Sequence, residues 1–334
     1  MSPVSPTNPT GPADPAGPGG AASGGAPARI LLPYPPDRIG GLAGLRVAVW
    51  DGATEPPPAS VLREVEFFVV PYTRAAAALP LLERMPRLRV LQSLSAGVDD
   101  LRPFVPPGVT LCNARGVHDA STAELAVTLL LAALRGVPGF VRAQDAGEWR
   151  GGSFPSLADR TVLLVGHGSI GAAVEERLVP FECDVLRVAR SARTAVRGPV
   201  HAFAELPGLL PRADVVVLTV PLTAETRGLV DARFLAAMRD EALLVNVARG
   251  AVVDTGALLA ELGRGRLSAA LDVTDPEPLP AGHPLWSAPR TLISPHVGGN
   301  SSAFLPRALR LLRTQLDRYA AGEALDNVVV GPGV

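Results

Sequence analysis

The stretch TVLLVGHGSIG, residues 161–171, decides the fold. Thr161 to Val165 form a short apolar run of the kind that makes a buried strand, and Gly166, Gly168 and Gly171 follow with the spacing GxGxxG. Glycine-rich turns are common, so the spacing alone says little. Here it leaves a strand and opens a helix, read over Ala172 to Leu178, which is the context the motif requires. The first glycine then permits a tight turn, the second lets the backbone approach a pyrophosphate, and the third lets helix pack on strand. Ser169 and Ile170 complete the loop, where the new helix offers free N–H groups and the positive end of its dipole. A dinucleotide is the ligand this predicts.

Downstream, short apolar runs at Cys183–Val188, Ala213–Val220, Ala242–Val247, Ser268–Val273 and Thr291–Ser294 read as further strands. Six strands with intervening helices predict an α/β, doubly wound parallel-sheet (Rossmann) nucleotide domain over residues 120–300. Upstream, Leu45–Trp50, Glu66–Val70, Leu88–Leu94 and Val109–Cys112 read as strands, with an alanine-rich helix over Arg74–Met85 interrupted by Pro80. Asn300–Ala321 reads as one helix, followed by the apolar run Val328–Val330. That helix has to leave the nucleotide domain, and its best place is back against the first. The substrate domain is therefore expected to be discontinuous and flavodoxin-like, built from 30–119 and 301–334, with a cleft between the two domains. Ser121–Leu134 is a long, nearly all-apolar helix, with Ser121, Thr122 and Glu124 suiting its N-terminus. A helix apolar all round must be covered inside its domain or by another subunit, and a homodimer is the expectation. Residues 1–29 are proline, glycine, alanine and serine with few large apolar side chains, and are expected to form a disordered tail.

Composition narrows the classes. The chain has 334 residues, 47% hydrophobic, and a net charge of -1. Its basic residues are all arginine and form no basic stripe, so no nucleic-acid partner is expected. Cys112 and Cys183 are too few and too far apart for a zinc site or disulfide framework, and no metal is expected. No run reaches the ~18 uninterrupted apolar residues of a membrane span, and the N-terminus lacks the charged-then-apolar order of a signal peptide. A cytoplasmic location fits.

Cofactor choice turns on the tip of the second strand of the nucleotide domain. An NAD site would carry a carboxylate there, but the tip reads Ala189-Arg190-Ser191, and Asp184 lies too early. Arg190, Ser191 and Arg193 suit a 2′-phosphate, because guanidinium matches phosphate geometry. NADP is the expected cofactor, with NAD possible. Three further patches each follow a strand: NVARG (246–250), DVTDPEP (272–278) and SPHVGG (294–299). Ligands bind at the carboxyl ends of such strands, so Arg249, Glu277 and His296 can meet in one crevice. Read singly, each has an ordinary explanation as a surface ion pair, a turn residue or a loop histidine. Asp254 reads as a helix cap and Asp99 as a pin for its own turn. His118, His167, His201 and His283 read as structural or exposed, with the His167 side chain facing solvent.

The segments SAGVDDL (95–101), STAELAVTLLL (121–131), GHGSIG, LTVPLTAETRGLVD (218–231), NVARGAVVD (246–254), LDVTDPEPLPAGHPLW (271–286) and SPHVGG together resemble the D-isomer-specific 2-hydroxyacid dehydrogenase family. They stand in the family's order and span nearly everything after the tail. Glyoxylate/hydroxypyruvate reductases are the branch most similar in look. The resemblance implies an NAD(P)-dependent interconversion of a small 2-keto acid and its D-2-hydroxy acid. His296 would be the acid/base, a role imidazole suits at neutral pH. Glu277 would hydrogen-bond its other ring nitrogen, and Arg249 would bind the substrate carboxylate. The backbone of Ser95, Ala96, Gly97 and Val98 would take the carboxylate's other side. Loops near Tyr72 and Leu94 would touch the rest of the substrate. Asp272 would bind the nicotinamide carboxamide, and Val220, Pro221, Thr226, Val247, Ala248, Gly298 and Gly299 would complete the cofactor site. The family's other activities imply a phosphoglycerate-type dehydrogenase as an alternative, which an end at Val334 without a regulatory domain argues against. A nucleotide-sensing, corepressor-like binding protein is the alternative outside the enzymes.

Overall fold

The computed structural model describes residues 29–331 except 41 and 43. The expected tail therefore lies outside the described residues, apart from Arg29. Two sheets form. The first begins with β1 (Ile30–Leu32), β2 (Val47–Val49), β3 (Phe67–Val69), β4 (Val90–Gln92) and β5 (Thr110–Cys112), parallel in the order β2-β1-β3-β4-β5. This is the flavodoxin-like order, and β1, β3 and β4 are buried throughout, as a sheet covered on both faces requires.

The second sheet contains β6 (Thr161–Val165), β7 (Asp184–Ala189), β8 (Arg193–Ala195), β9 (Gly198–Ala202), β10 (Val215–Leu218), β11 (Leu243–Asn246), β12 (Ser268–Leu271) and β13 (Thr291–Ile293). Its order is β8-β9-β7-β6-β10-β11-β12-β13, and only β8 runs antiparallel to its neighbour. The chain turns to opposite sides after β6 and after β10, so the switch point falls between them and directly beside the glycine loop. Six of these strands match the sequence reading. The β8–β9 hairpin does not: it is short, half exposed and carries Gly198 and Pro199, so no apolar run announces it.

The C-terminal helix Phe304–Ala321 packs on the first sheet. Ala308, Leu312 and Leu316, four residues apart, are buried against Ile30, Leu32, Phe67, Val69 and Val90. Gln315 is buried with them and donates to Gln92 Oε1 at 2.7 Å and to the Asp326 carbonyl at 3.0 Å. The chain then adds β14 (Val328–Val330) antiparallel to β5. This helix starts four residues later than the sequence suggested, because 300–303 form a turn.

Two helix readings need correction. The helix Asp119–Leu134 begins before Ser121, with His118 at its N-cap and no side-chain cap, so Ser121 and Thr122 are buried within its first turn. Pro80 lies inside the helix Ala75–Leu82 rather than breaking it, at the cost of one backbone hydrogen bond. The 119–134 helix is also covered within its own chain. Ala123, Ala126, Val127, Leu129, Leu130 and Leu134 pack with Val162, Leu164, Val174, Leu178 and Val245. Its remaining apolar side chains Leu125, Leu131 and Ala133 are partly buried. Several exposed apolar side chains lie just after it, at Val137, Phe140, Val141 and Trp149. Among the described residues no single helix is long and apolar enough to cross a membrane.

Candidate active site

A cleft of about 630 Å³ opens where the carboxyl ends of the two sheets face each other. The loop after β4 contributes Ser95, Ala96, Gly97, Asp99 and Asp100, and the second sheet contributes Val247, Arg249, Asp272, Glu277, His296, Gly298 and Gly299. Residues that are distant in sequence thus converge because each follows a strand.

Arg249 is held from both sides. The buried Asn246 side chain folds the turn beneath it, donating to the Arg249 carbonyl at 3.0 Å and accepting from Ala248 N at 3.0 Å. Gly250 lets this turn touch the next strand's loop, since a Cβ there would lie 1.9 Å from the Thr274 carbonyl oxygen. The guanidinium donates Nη1 to the Ala248 carbonyl at 2.8 Å and Nε to Asp99 Oδ1 at 3.1 Å. Its Nη2 lies against Gly97, where a Cβ would sit only 1.7 Å away. The sequence reading gave Asp99 to its own turn. The structure makes it the partner of Arg249 across the cleft, a pairing that no local pattern announces.

His296 has φ of +52°, in the left-handed region. Its N–H donates to the Asp272 carbonyl at 2.8 Å and the Ser294 carbonyl at 3.1 Å. Its Nδ1 donates to Glu277 Oε1, which leaves Nε2 for a ligand in the cleft. The Glu277 hydrogen bond raises the imidazole pKa above its ordinary value, against burial, which lowers it. Burial pushes the Glu277 carboxyl up, but the His296 hydrogen bond and charge, with Arg249, bring it below the usual value. Asp272 is buried, with Oδ1 accepting from Ser294 Oγ at 2.6 Å and Val297 N at 2.9 Å, and Oδ2 from Gly298 N at 2.9 Å. Both oxygens expected to meet a carboxamide are already engaged in the 294–298 turn.

The glycine loop has the shape a pyrophosphate needs. Gly166 has φ of +105°, and a Cβ on it would come within 2.8 Å of the Thr219–Val220 backbone. A Cβ on Gly171 would lie 2.1 Å from the Gly166 carbonyl oxygen, so helix and strand meet there. Gly168 differs: nothing lies within 4 Å of where its Cβ would be. It caps the helix Ser169–Leu178, so an open face meets the helix N-terminus, the setting for a phosphate group. These residues fit a dinucleotide. Ser169 Oγ donates to Asp119 Oδ1 at 3.1 Å, and Ile170 reaches the cleft wall.

The rest of the expected cofactor set divides. Val220 and Ala248 are buried beside the sheet ends. Thr226 is buried and donates to the Pro221 carbonyl at 2.6 Å while accepting from Thr223 N at 2.8 Å, so its hydroxyl shapes the 221–226 loop. Arg190 and Ser191 are exposed beyond β7, and Arg193 folds back to donate Nη2 to the His167 carbonyl. His167 itself corrects the sequence reading. It does not face solvent but is 8% exposed, with Nε2 on Glu175 Oε2 at 2.7 Å.

A wall that sequence reasoning largely missed closes one side. His118 donates Nε2 to the Leu94 carbonyl at 2.7 Å, and its ring lies beside the stacked Tyr72–Phe304 pair (4.1 Å apart), 5.4 Å from Tyr72 and 5.3 Å from Phe304. Burial lowers the His118 pKa. Tyr72 and Leu94 do line the cleft. The partners sit at positions 72, 118 and 304, so their meeting leaves no sequence signal.

Residues 127–298 match the model of the family described as D-isomer specific 2-hydroxyacid dehydrogenase, NAD binding domain. The glyoxylate reductase of Aeropyrum pernix is 32% identical over 298 residues, which covers 85% of this chain and 89% of that protein. The crystal structure of a D-isomer specific 2-hydroxyacid dehydrogenase from Xanthobacter autotrophicus, in complex with NADPH and MES, superposes with a TM-score of 0.74 at 32% identity, covering 91% of this chain and 98% of that one. An NADPH-dependent glyoxylate/hydroxypyruvate reductase from Sinorhizobium meliloti, in complex with NADP and malonate, gives 0.73 at 28% identity, covering 91% and 97%.

Proposed function

Given that this chain belongs to the D-isomer specific 2-hydroxyacid dehydrogenase family of NAD(P)-dependent oxidoreductases, we propose that it reduces a small 2-keto acid with NADPH. Substrates of the size of glyoxylate and hydroxypyruvate fit the reading, with the D configuration where the product carbon is chiral. The nicotinamide, when bound, supplies the hydride. Arg249 binds the substrate carboxylate and polarises the keto oxygen, with the backbone of Ser95, Ala96, Gly97 and Val98 on the other side. His296 donates the proton from Nε2 to the reduced oxygen, and Glu277 holds the imidazole charged for that step. Gly166, Gly168, Ser169, Ile170 and Gly171 take the pyrophosphate, with Arg190, Ser191 and Arg193 at the 2′-phosphate. Asp272, Gly298 and Gly299 lie at the nicotinamide end. Residues 30–119 and 301–334 form the substrate domain and 120–300 the cofactor domain.

The observation that carries this reading is the meeting of Arg249 with the His296–Glu277 pair in one cleft beside the glycine loop. A phosphoglycerate-type substrate fits less well. Arg249 is the one arginine or lysine lining the cleft among the described residues, and Asp99 and Asp100 lie beside it, a poor setting for a second phosphate. The test is nicotinamide oxidation by the purified protein against glyoxylate, hydroxypyruvate, pyruvate and a longer keto acid. Keto-acid-dependent turnover, faster with NADPH and abolished in His296→Ala, is the expected result. Nucleotide binding without turnover on any acid would overturn it and favour a sensing role. The exposed Val137, Phe140, Val141 and Trp149 support a homodimer, and light scattering giving 34.6 kDa would refute that. The free thiols Cys112 and Cys183 suit a reducing cytoplasm.

A further inference from the structure

Beneath the glycine loop lies a charged network that the reaction does not use. His167 occupies the second place of GHGSIG, and its side chain points inward. Its Nε2 bonds Glu175 Oε2 at 2.7 Å. The other Glu175 oxygen accepts from Arg187, whose Nε lies at 2.6 Å, and Arg187 Nη1 donates to the Val185 carbonyl at 2.9 Å. The side chains of His167, Glu175 and Arg187 are 7%, 5% and 10% exposed. A buried carboxylate bonded to two donors fixes both of them, because any other arrangement would strand a charge away from water.

The consequence reaches the rim of the loop. An ionised carboxylate only accepts, so His167 Nε2 carries a proton and a neutral ring presents Nδ1 as a lone pair. Arg193 Nη2 stands 3.4 Å from that Nδ1 and donates to the carbonyl of the same residue. Arg193 lies on β8, just beyond the tip of β7, so its side chain spans from that tip to the glycine loop. The adenosine ribose of a dinucleotide lies between those two places. The Arg193 residue is otherwise exposed, so the rest of its planar fork remains free for an anion.

We propose that His167 is a positioning residue for cofactor choice: braced by Glu175 and Arg187, it holds the Arg193 guanidinium where the 2′-phosphate of NADP binds. This deepens the reading of the chain as an NADPH-dependent reductase and rests on it. Preorganisation is the physical gain, since an arginine already held needs little ordering when the phosphate arrives.

The imidazole has two jobs that two amides separate. In His167→Gln the amide nitrogen takes the place of Nε2 and keeps the Glu175 bond, but the acceptor toward Arg193 is lost. In His167→Asn the amide oxygen takes the place of Nδ1 and keeps that acceptor. Calorimetric titration of each protein with NADP+ and with NAD+ reads the effect directly as binding. We expect His167→Gln to weaken NADP+ by about fivefold to tenfold and NAD+ by less than about twofold. His167→Asn, which keeps the acceptor but gives up the Glu175 bond, should lose less of the wild-type ratio of the two affinities than His167→Gln, and Arg193→Ala should lose more of it. Equal weakening of NADP+ and NAD+ in His167→Gln would make the network a brace for the loop alone and overturn the proposal. An unchanged ratio in that variant, with wild type favouring NADP+, would overturn it while sparing the cofactor reading. Wild type binding NAD+ as tightly as NADP+ would overturn both.

Discussion

Replacing Gly97 by alanine tests the substrate site at its tightest point. The Gly97 backbone does not adopt a positive φ, so alanine is conformationally allowed and the clash alone decides. Its Cβ would lie 1.7 Å from Arg249 Nη2 and 2.7 Å from Cζ, where real Cβ contacts stay above 3.0 Å. The guanidinium must therefore retreat by about 1.3 Å, the difference between those figures. It cannot simply swing aside, because Nε is bonded to Asp99 and Nη1 to the Ala248 carbonyl. A misplacement of about 1 Å in a positioning group costs about 100-fold in rate, or about 2.7 kcal/mol of transition-state binding. Steady-state kinetics with glyoxylate and NADPH should show kcat/KM lower by about that factor. The glycine loop lies on the other sheet, so NADPH affinity, followed by fluorescence, should stay within about twofold. A kcat/KM within about threefold of wild type would refute the placement of Arg249 at the substrate. Equal losses in substrate and NADPH binding would show general disruption instead.

Glu277→Gln removes the largest influence raising the His296 pKa, so the pH above which reduction fails should move lower. An unmoved profile would deny the pair its role in proton transfer. The same pair adds stability below the ordinary histidine pKa, and that contribution fades as pH rises through the raised value. Gly168→Ala and Gly171→Ala should separate binding from folding. The first adds a methyl to open space and should leave Tm unchanged while weakening nucleotide by about tenfold or more. The second drives a Cβ to 2.1 Å from a backbone oxygen and should cost about 2 kcal/mol of stability or more. Similar melting curves for the two would contradict the loop geometry. Asp254 accepts from Ala257 N at 2.9 Å at the start of the helix Thr255–Gly263, so Asp254→Ala should cost about 1 kcal/mol in denaturant unfolding. No loss would mean that the cap contributes nothing.

What the sequence disclosed was what physics keeps local. The glycine spacing after β6 is local, and so is the strand that each of Arg249, Glu277 and His296 follows. The parallel pairing within the sheets follows from the alternation of strand and helix. What escaped was set by contacts between distant residues. Asp99 meets Arg249 across 150 positions, and Tyr72, His118 and Phe304 stack from three separate elements. His167 was misread for a related reason. A histidine in a glycine loop reads as exposed, and only the inward-facing Glu175 and Arg187, two helical turns and a strand away, make its burial affordable in charge. Ser121 and Thr122 look like a cap because they favour one, yet tertiary packing draws the helix start back to Asp119.

The backbone of His296 shows how the proposed acid/base is kept in place. A non-glycine residue in the left-handed region costs roughly 1–2 kcal/mol, and it persists only where its surroundings over-determine it. Asp272 does this. Its carbonyl accepts from His296 N, and its buried carboxylate takes the hydroxyl of Ser294 and the next two backbone N–H groups, of Val297 and Gly298. A buried carboxylate left without these donors would cost more than the strain it offsets, so the turn cannot relax without stranding a charge. The imidazole is thereby set in the cleft before Glu277 touches it. Glu277 is then free to govern the proton, while the position of the ring depends on Asp272. A substitution at Glu277 should accordingly appear in the pH dependence of the rate, and one at Asp272 in the position of the ring, lowering the rate at every pH.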